Sequence, residues 1–303
     1  MITYTMALAL LFLAEATLAQ GYTFRVLANK GTNQVKKSTG EMVTLKTGAT
    51  LNEGDALIAS EGAYIGLMHK TGRTIEVRKA GTMAVSDLEK KVQTGNTSVA
   101  SRYAKFVNDK MNADQGSGSV YSRQKATGAV SRAVADGTLN VMLPPQVDVI
   151  GDNAIVRWES AKIDATYIVT VRNILDEVIF QEEVNDTQVE LDFTSEAMQK
   201  DEGAGLYIFS VKDKDDESIA SGDIGIKRST EDTEVSADLA NLKAEVAEDS
   251  PLSKLIYASF FEEKGLLLDA STKYQEAIKM APEVQDFKEL YENFLITNGL
   301  SKE

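Results

Sequence analysis

Residues 48–85 break at a glycine-centred turn every eight to ten positions, and the apolar runs between the turns are too short for helices. That punctuation restricts the stretch to short strands of a small all-β module. Ile65 and Leu67, and past the Thr71-Gly72 turn Ile75 and Val77, recur at a spacing of two. The spacing puts them on one face of a hairpin and leaves Tyr64, His69, Arg73 and Glu76 for the rim or the opposite face.

Gly48, Leu51, Gly54, Asp55 and Leu57 stand in the order G-x-x-L-x-x-G-D-x-L, followed by a hydrophobic, turn-glycine, hydrophobic pair. In this the stretch resembles the FecR-type domain of bacterial envelope proteins, over residues 24–88. The resemblance implies an extracytoplasmic β module used in signalling or scaffolding, and it implies no particular ligand.

The start of the chain agrees with export. Residues 6–14 form an apolar core, and Thr17 and Ala19 provide the small residues of a cleavage site before Gln20. Residues 1–19 are therefore expected to be a signal peptide, and Gln20 the mature amino terminus. No Lys or Arg precedes the apolar run, which leaves either a start further upstream or an atypical signal. Later apolar runs are too short to span a bilayer, so no transmembrane segment is expected in the mature chain. The chain has no cysteine. Acylation after the signal, disulfides and thiolate chemistry are thereby excluded, and stability has to come from packed cores.

Charge is uneven. Lys and Arg against Asp and Glu number 17 and 9 over residues 21–135, 4 and 13 over 136–200, and 11 and 23 over 201–303. A basic first third suits an anionic surface such as lipid headgroups, cell-wall polymer or an acidic protein; ordinary solvated surface is the simpler reading, since no dense basic run occurs.

Along the chain, residues 98–111 carry Val99, Tyr103, Phe106 and Val107 at helical spacing, and a Gly/Ser stretch follows at 115–119. Pro144-Pro145 marks a boundary, because a diproline holds an extended form and donates no ladder hydrogen bond. Beyond it, six short apolar runs begin at Ala154, Tyr167, Val178, Val189, Leu206 and Ile224, separated by turn signals. They predict an antiparallel sandwich. The pattern is similar to fibronectin type III and related immunoglobulin-like domains, with Trp158 at the place of their core tryptophan, Tyr167 on the next strand, and Leu206, Tyr207 and Val211 on a late one.

A polar linker near Lys227 leads into helices. Leu239, Leu242 and Val246 form one stripe, and Ser250-Pro251 supplies an N-cap and a first-turn proline. Ala258, Phe261, Ala270, Tyr274, Ala277 and Pro282 fall in the register of a tetratricopeptide repeat, with Gly265 as the interhelix turn; Lys254 and Tyr257 depart from the usual pattern. The tail resembles that family. One full repeat is short, so it is expected to rest on something else.

Chemistry-bearing patterns are few. His69 is the sole histidine and is expected at the surface beside its turn. With no cysteine, a Cys/His pair or a His-rich metal site is excluded. Asp213, Asp215, Asp216 and Glu217 lack the turn glycine and distal glutamate of a calcium loop and are expected at a solvated hairpin tip; whether calcium binds there stays open. No phosphate-cradling loop or basic-aromatic pattern for nucleic acid is present.

The fold expected is multidomain α+β: a FecR-like β domain over residues 20–92, a helix and flexible linker over 93–145, a fibronectin/Ig-like sandwich over 146–228 and a TPR-like helical domain over 229–303. The function expected is that of an exported, non-enzymatic scaffold or adaptor of the Gram-negative envelope, periplasmic or outer-membrane associated. The alternative is a binder of cell-wall or surface polysaccharide. No catalytic residue, metal or cofactor is expected. Phe287, Tyr291 and Phe294 are the candidate partner-binding residues, with core packing as their other reading.

Overall fold

The alternation of residues 24–84 becomes eight short strands in a computed structural model, which describes residues 21–92, 98–113, 138–160, 162, 164–199, 205–229, 233–247 and 249–301. The expected signal peptide and the Gly/Ser stretch lie outside these residues.

The strands are β1 (Phe24–Lys30), β2 (Gln34–Lys36), β3 (Met42–Thr44), β4 (Thr50–Leu51), β5 (Ala56–Ala59), β6 (Tyr64–His69), β7 (Thr74–Val77) and β8 (Gly81–Ala84). They form two antiparallel sheets, ordered β4-β1-β6-β7 and β3-β2-β5-β8, and a short helix α1 (Val85–Glu89) follows. Ile65 lies opposite Val77 and Leu67 opposite Ile75, as the spacing of two requires. Asp55 of the Gly-Asp turn is buried and fastens it, accepting from the Asn52 and Ser38 N–H groups and from Lys37 Nζ at 2.9–3.0 Å.

The second face of β6 departs from expectation. All six of its residues are buried, Tyr64 and Met68 included, because helices from the end of the chain cover that face. Leu252 Cδ2 would lie 3.4 Å from a Cβ placed on Gly66, and Tyr64 meets the ring of Phe287 edge-on at 5.6 Å. His69 is likewise buried rather than at the surface. Its ring lies edge-on to Phe24, Nδ1 is 2.8 Å from Thr71 Oγ1 and Nε2 is 3.3 Å from Glu89.

Seven strands build the second β unit: β9 (Gln146–Val149), β10 (Asn153–Arg157), β11 (Tyr167–Arg172), β12 (Val178–Val184), β13 (Gln188–Asp192), β14 (Leu206–Asp213) and β15 (Ile224–Arg228). A five-stranded sheet runs β12-β11-β14-β15-β9, with only the β15–β9 pair parallel, and faces the two strands β10-β13. Between them lies a core in which Trp158 meets Tyr167 edge-on at 5.4 Å. A one-turn helix α3 (Glu196–Gln199) joins β13 to β14.

The remaining helices are α2 (Ser98–Ala113), α4 (Thr233–Glu245), α5 (Pro251–Glu263), α6 (Leu267–Met280) and α7 (Gln285–Thr297). Ser250 caps α5 by accepting the Ser253 N–H at 3.1 Å, and Pro251 occupies the first turn. Gly265, at φ +73°, makes the turn into α6. Ala258, Phe261, Ala270, Tyr274 and Ala277 are all buried where α5 and α6 meet. Tyr103 of α2 completes this helical core against Phe260.

The tail does rest on something else: both β units. Its core is continuous with Leu27, Ala28, Tyr64 and Met68, while Leu268 of α6 enters the core of the sandwich. Helix α6 also closes the open side of β10. Thr272 Oγ1 accepts the Ile155 N–H at 3.0 Å, and Gln275 Nε2 donates to the Ile155 carbonyl at 3.3 Å. A strand edge buried without such partners would leave polar backbone groups unsatisfied. Thr272→Val removes the acceptor and keeps the shape, so the buried Ile155 N–H is expected to cost about 1–3 kcal/mol. Urea unfolding checks this, and an unchanged midpoint would contradict the role given to α6.

Candidate interaction site

The β11–β12 hairpin turns through residues 173–177, and its geometry follows from Asn173. This buried side chain accepts the N–H groups of Leu175 and Glu177 through Oδ1 at 2.9 and 3.0 Å. Asp176 takes a left-handed conformation at φ +66°, which asparagine and aspartate tolerate better than most residues. The turn so held lifts Ile174 and Leu175 into solvent, where they are 54% and 73% exposed.

Cross-strand register extends this apolar end over the sheet. Val178 lies opposite Arg172, Arg172 opposite Ile208, Ile208 opposite Gly225 and Gly225 opposite Gln146. Val178 is 57% exposed, and Leu206, two residues before Ile208, is exposed as well. Beside the row, Pro144, Pro145, Gln146, Ile208, Asp223 and Gly225 line a shallow hollow open to solvent. The diproline is thus a wall of this hollow, its Pro145 carbonyl accepting the Gly225 N–H at 2.8 Å. Arg172 is the charged centre, bound to Asp176 and, at 2.7 Å, to Asp223. Apolar side chains around a fixed ion pair make a surface suited to association.

Phe287, Tyr291 and Phe294 are at another place altogether. They are buried at 0, 3 and 0% exposure on the inner side of α7. Phe287 packs on Tyr64, Tyr291 shares a hydrogen bond of 3.1 Å with Ser271, and Phe294 lies 5.2 Å from the Tyr274 ring. Phe287 thus closes the seam to the first β unit, while Tyr291 and Phe294 pack α7 onto α6.

The acidic run separates in the same way. Asp213 is fully buried, and its Oδ1 accepts the N–H groups of Asp215 and Asp216 at 2.9 and 3.0 Å. The Lys162 ammonium, 3.0 Å away, holds its carboxyl below the usual range, helped by those two N–H groups against the opposing effect of burial. Asp213 therefore ties the hairpin tip together. Among the described residues, no group of three or more His, Cys, Asp or Glu side chains could hold a metal ion.

A second cleft, of about 340 Å³, lies between the β6–β7 hairpin and the helices, with Arg73, Glu76, Lys91, Glu245, Asp249 and Ser253 in its wall. Glu76 accepts the Leu252 N–H and the Tyr64 hydroxyl, and Glu245 accepts the Ala100 N–H. These carboxylates hold helix starts in place.

No family model matches the chain, and no curated protein matches it either. No helix among the described residues is long and apolar enough to cross a membrane.

The apolar end had a signal in the sequence: the turn residues Ile174 and Leu175 stand where polar side chains are usual. Leu175→Asp together with Val178→Asp is expected to change stability by no more than about 0.5 kcal/mol per site. Tyr291→Ala with Phe294→Ala is expected to cost about 3–5 kcal/mol per ring. Thermal melting of the two double variants checks both statements, and a reversed order would contradict the burial pattern.

Proposed function

We propose that the chain is an exported, non-enzymatic adaptor of the Gram-negative cell envelope, which holds another protein on the apolar end of its sandwich. The observation that carries this reading is that Ile174, Leu175, Val178 and Leu206, each exposed, gather at the β11–β12 hairpin end of the sheet, beside the row of Arg172, Ile208 and Gly225 that borders the hollow walled by Pro144 and Pro145. Isolated apolar side chains at a surface are ordinary; a contiguous group on a rigid sheet is a mark of association. The attachment of both β units to one helical tail supports a scaffold role, because it fixes the direction in which this surface points.

The likeness to a FecR-type module of envelope proteins, to a fibronectin-like sandwich and to a tetratricopeptide repeat belongs to the same proposal. The facing sheets of the sandwich agree with a fibronectin or immunoglobulin-like arrangement. The small residues buried between α5 and α6 agree with a tetratricopeptide hairpin. The paired antiparallel sheets of residues 24–84 are compatible with a FecR-like module. For the polysaccharide alternative, a platform of exposed rings would be the favourable feature. The exposed large apolar side chains of the described residues are Met, Val, Ile and Leu.

Immobilised full-length protein, exposed to envelope extract, tests the proposal. Retained protein that is lost with Leu175→Asp/Val178→Asp at an unchanged melting temperature is the expected result. Retention of glycan, or of the same proteins by the variant, would overturn it.

A further inference from the structure

Each seam between the helical tail and a β unit is closed by a carboxylate whose hydrogen-bond donors are all neutral. Asp269, in the first turn of α6, is 3% exposed and accepts the Ile150 N–H at 3.1 Å and the Gly151 N–H at 2.8 Å from the β9–β10 turn. A Cβ on Gly151 would come within 2.7 Å of Asp269 Oδ1, so the turn and the carboxyl fit closely. Asp286, in the first turn of α7, accepts the Asn29 N–H at 3.2 Å and the Thr47 hydroxyl at 3.1 Å from the first β unit.

Charged groups on the elements beside Asp269 each have a partner of their own. Lys273, one turn along α6, binds Glu276; Asp152 of the β9–β10 turn binds Arg228; Arg157 of β10 lies over the Tyr291 ring of α7; and Glu262 of α5 binds Lys110 and Tyr274. Around Asp286, Lys30 faces Glu283 at 3.9 Å, and Glu76 pairs with Arg78 beside Tyr64.

We propose that Asp269 and Asp286 form a proton-responsive clamp, which holds the helical tail against both β units more tightly in mildly acidic medium than above neutrality. Burial pushes the Asp269 carboxyl up to about 6, outweighing the two amides and the charge of Lys273, and it pushes Asp286 upward against its two donors. The sign follows from linkage. A closed seam that binds its proton more tightly than the open one is favoured by acid, and this contribution is lost as pH rises through about 6. An ionised Asp269 above that pH leaves a buried charge that water would solvate better, and the seam opens more readily.

Hydrogen exchange of the full-length chain, corrected for the intrinsic pH dependence of amide exchange, reads the opening of each seam separately. Between pH 5 and pH 7.5 the opening constant at Gly151 is expected to rise roughly tenfold, the equivalent of one pKa unit. Asn29 is expected to rise in the same direction. Asp269→Asn should flatten the response at Gly151 and leave that at Asn29, and Asp286→Asn should do the converse. Equal opening at the two pH values in the unsubstituted chain overturns the clamp, as does a slope that persists at Gly151 in Asp269→Asn. The unsubstituted pH series decides the matter even if a variant fails to fold.

Discussion

The burial of β6 on both faces is the constraint on which the rest of the structure depends. A strand of an antiparallel sheet commonly keeps one face in water. Here Ile65 and Leu67 turn toward the core of the first β unit, while Tyr64, Gly66 and Met68 meet the helices. The tail can therefore complete its own core only by using a sheet that lies more than 150 residues earlier in the chain, and that sheet can dry its second face only with the tail. Helices α5 and α6 bury only one face against each other; the β units, α2 and α7 cover what remains.

The second seam solves a different problem. β10 pairs with β13 on one side only, and α6 offers side chains, not a further strand, to its other side. Thr272 and Gln275 satisfy the backbone of Ile155, while Asp269 does the same for the adjoining turn. The apolar face of α6 contributes Leu268 to the sandwich core at the same place. Hydrophobic area supplies the attraction, and the polar side chains fix the register of helix on strand, since an unpaired buried N–H is costly.

Local features were legible in the sequence. The β6–β7 register followed from the spacing of four aliphatic residues, and the start of α5 followed from Ser250-Pro251. The long-range features were not. The uninterrupted run Tyr64-Ile65-Gly66-Leu67-Met68 carries the signature of a doubly buried strand, which alternation alone obscures. His69 was drawn inside because the rim it occupies is covered by Phe24 and α1. Asp269 and Asp286 read as ordinary first-turn acids, favoured by the helix dipole. Their partners lie 118 and 257 positions away, and no pattern within a helix announces a contact of that separation. Phe287, Tyr291 and Phe294 had helical spacing consistent with either a core or an exposed face, and what packs against α7 distinguishes the two: the first β unit at Phe287, and α6 at Tyr291 and Phe294.

The central claim is that the tail joins both β units into one cooperative body. Trp158 is the sole tryptophan and lies in the sandwich core, so its fluorescence follows that unit, while the circular dichroism of α2 and α4–α7 follows the tail. Urea unfolding followed by both signals on one sample is the most direct test. Coincident transitions with one midpoint are the predicted result; a sandwich that unfolds at a urea concentration distinct from that of the helices would contradict the account.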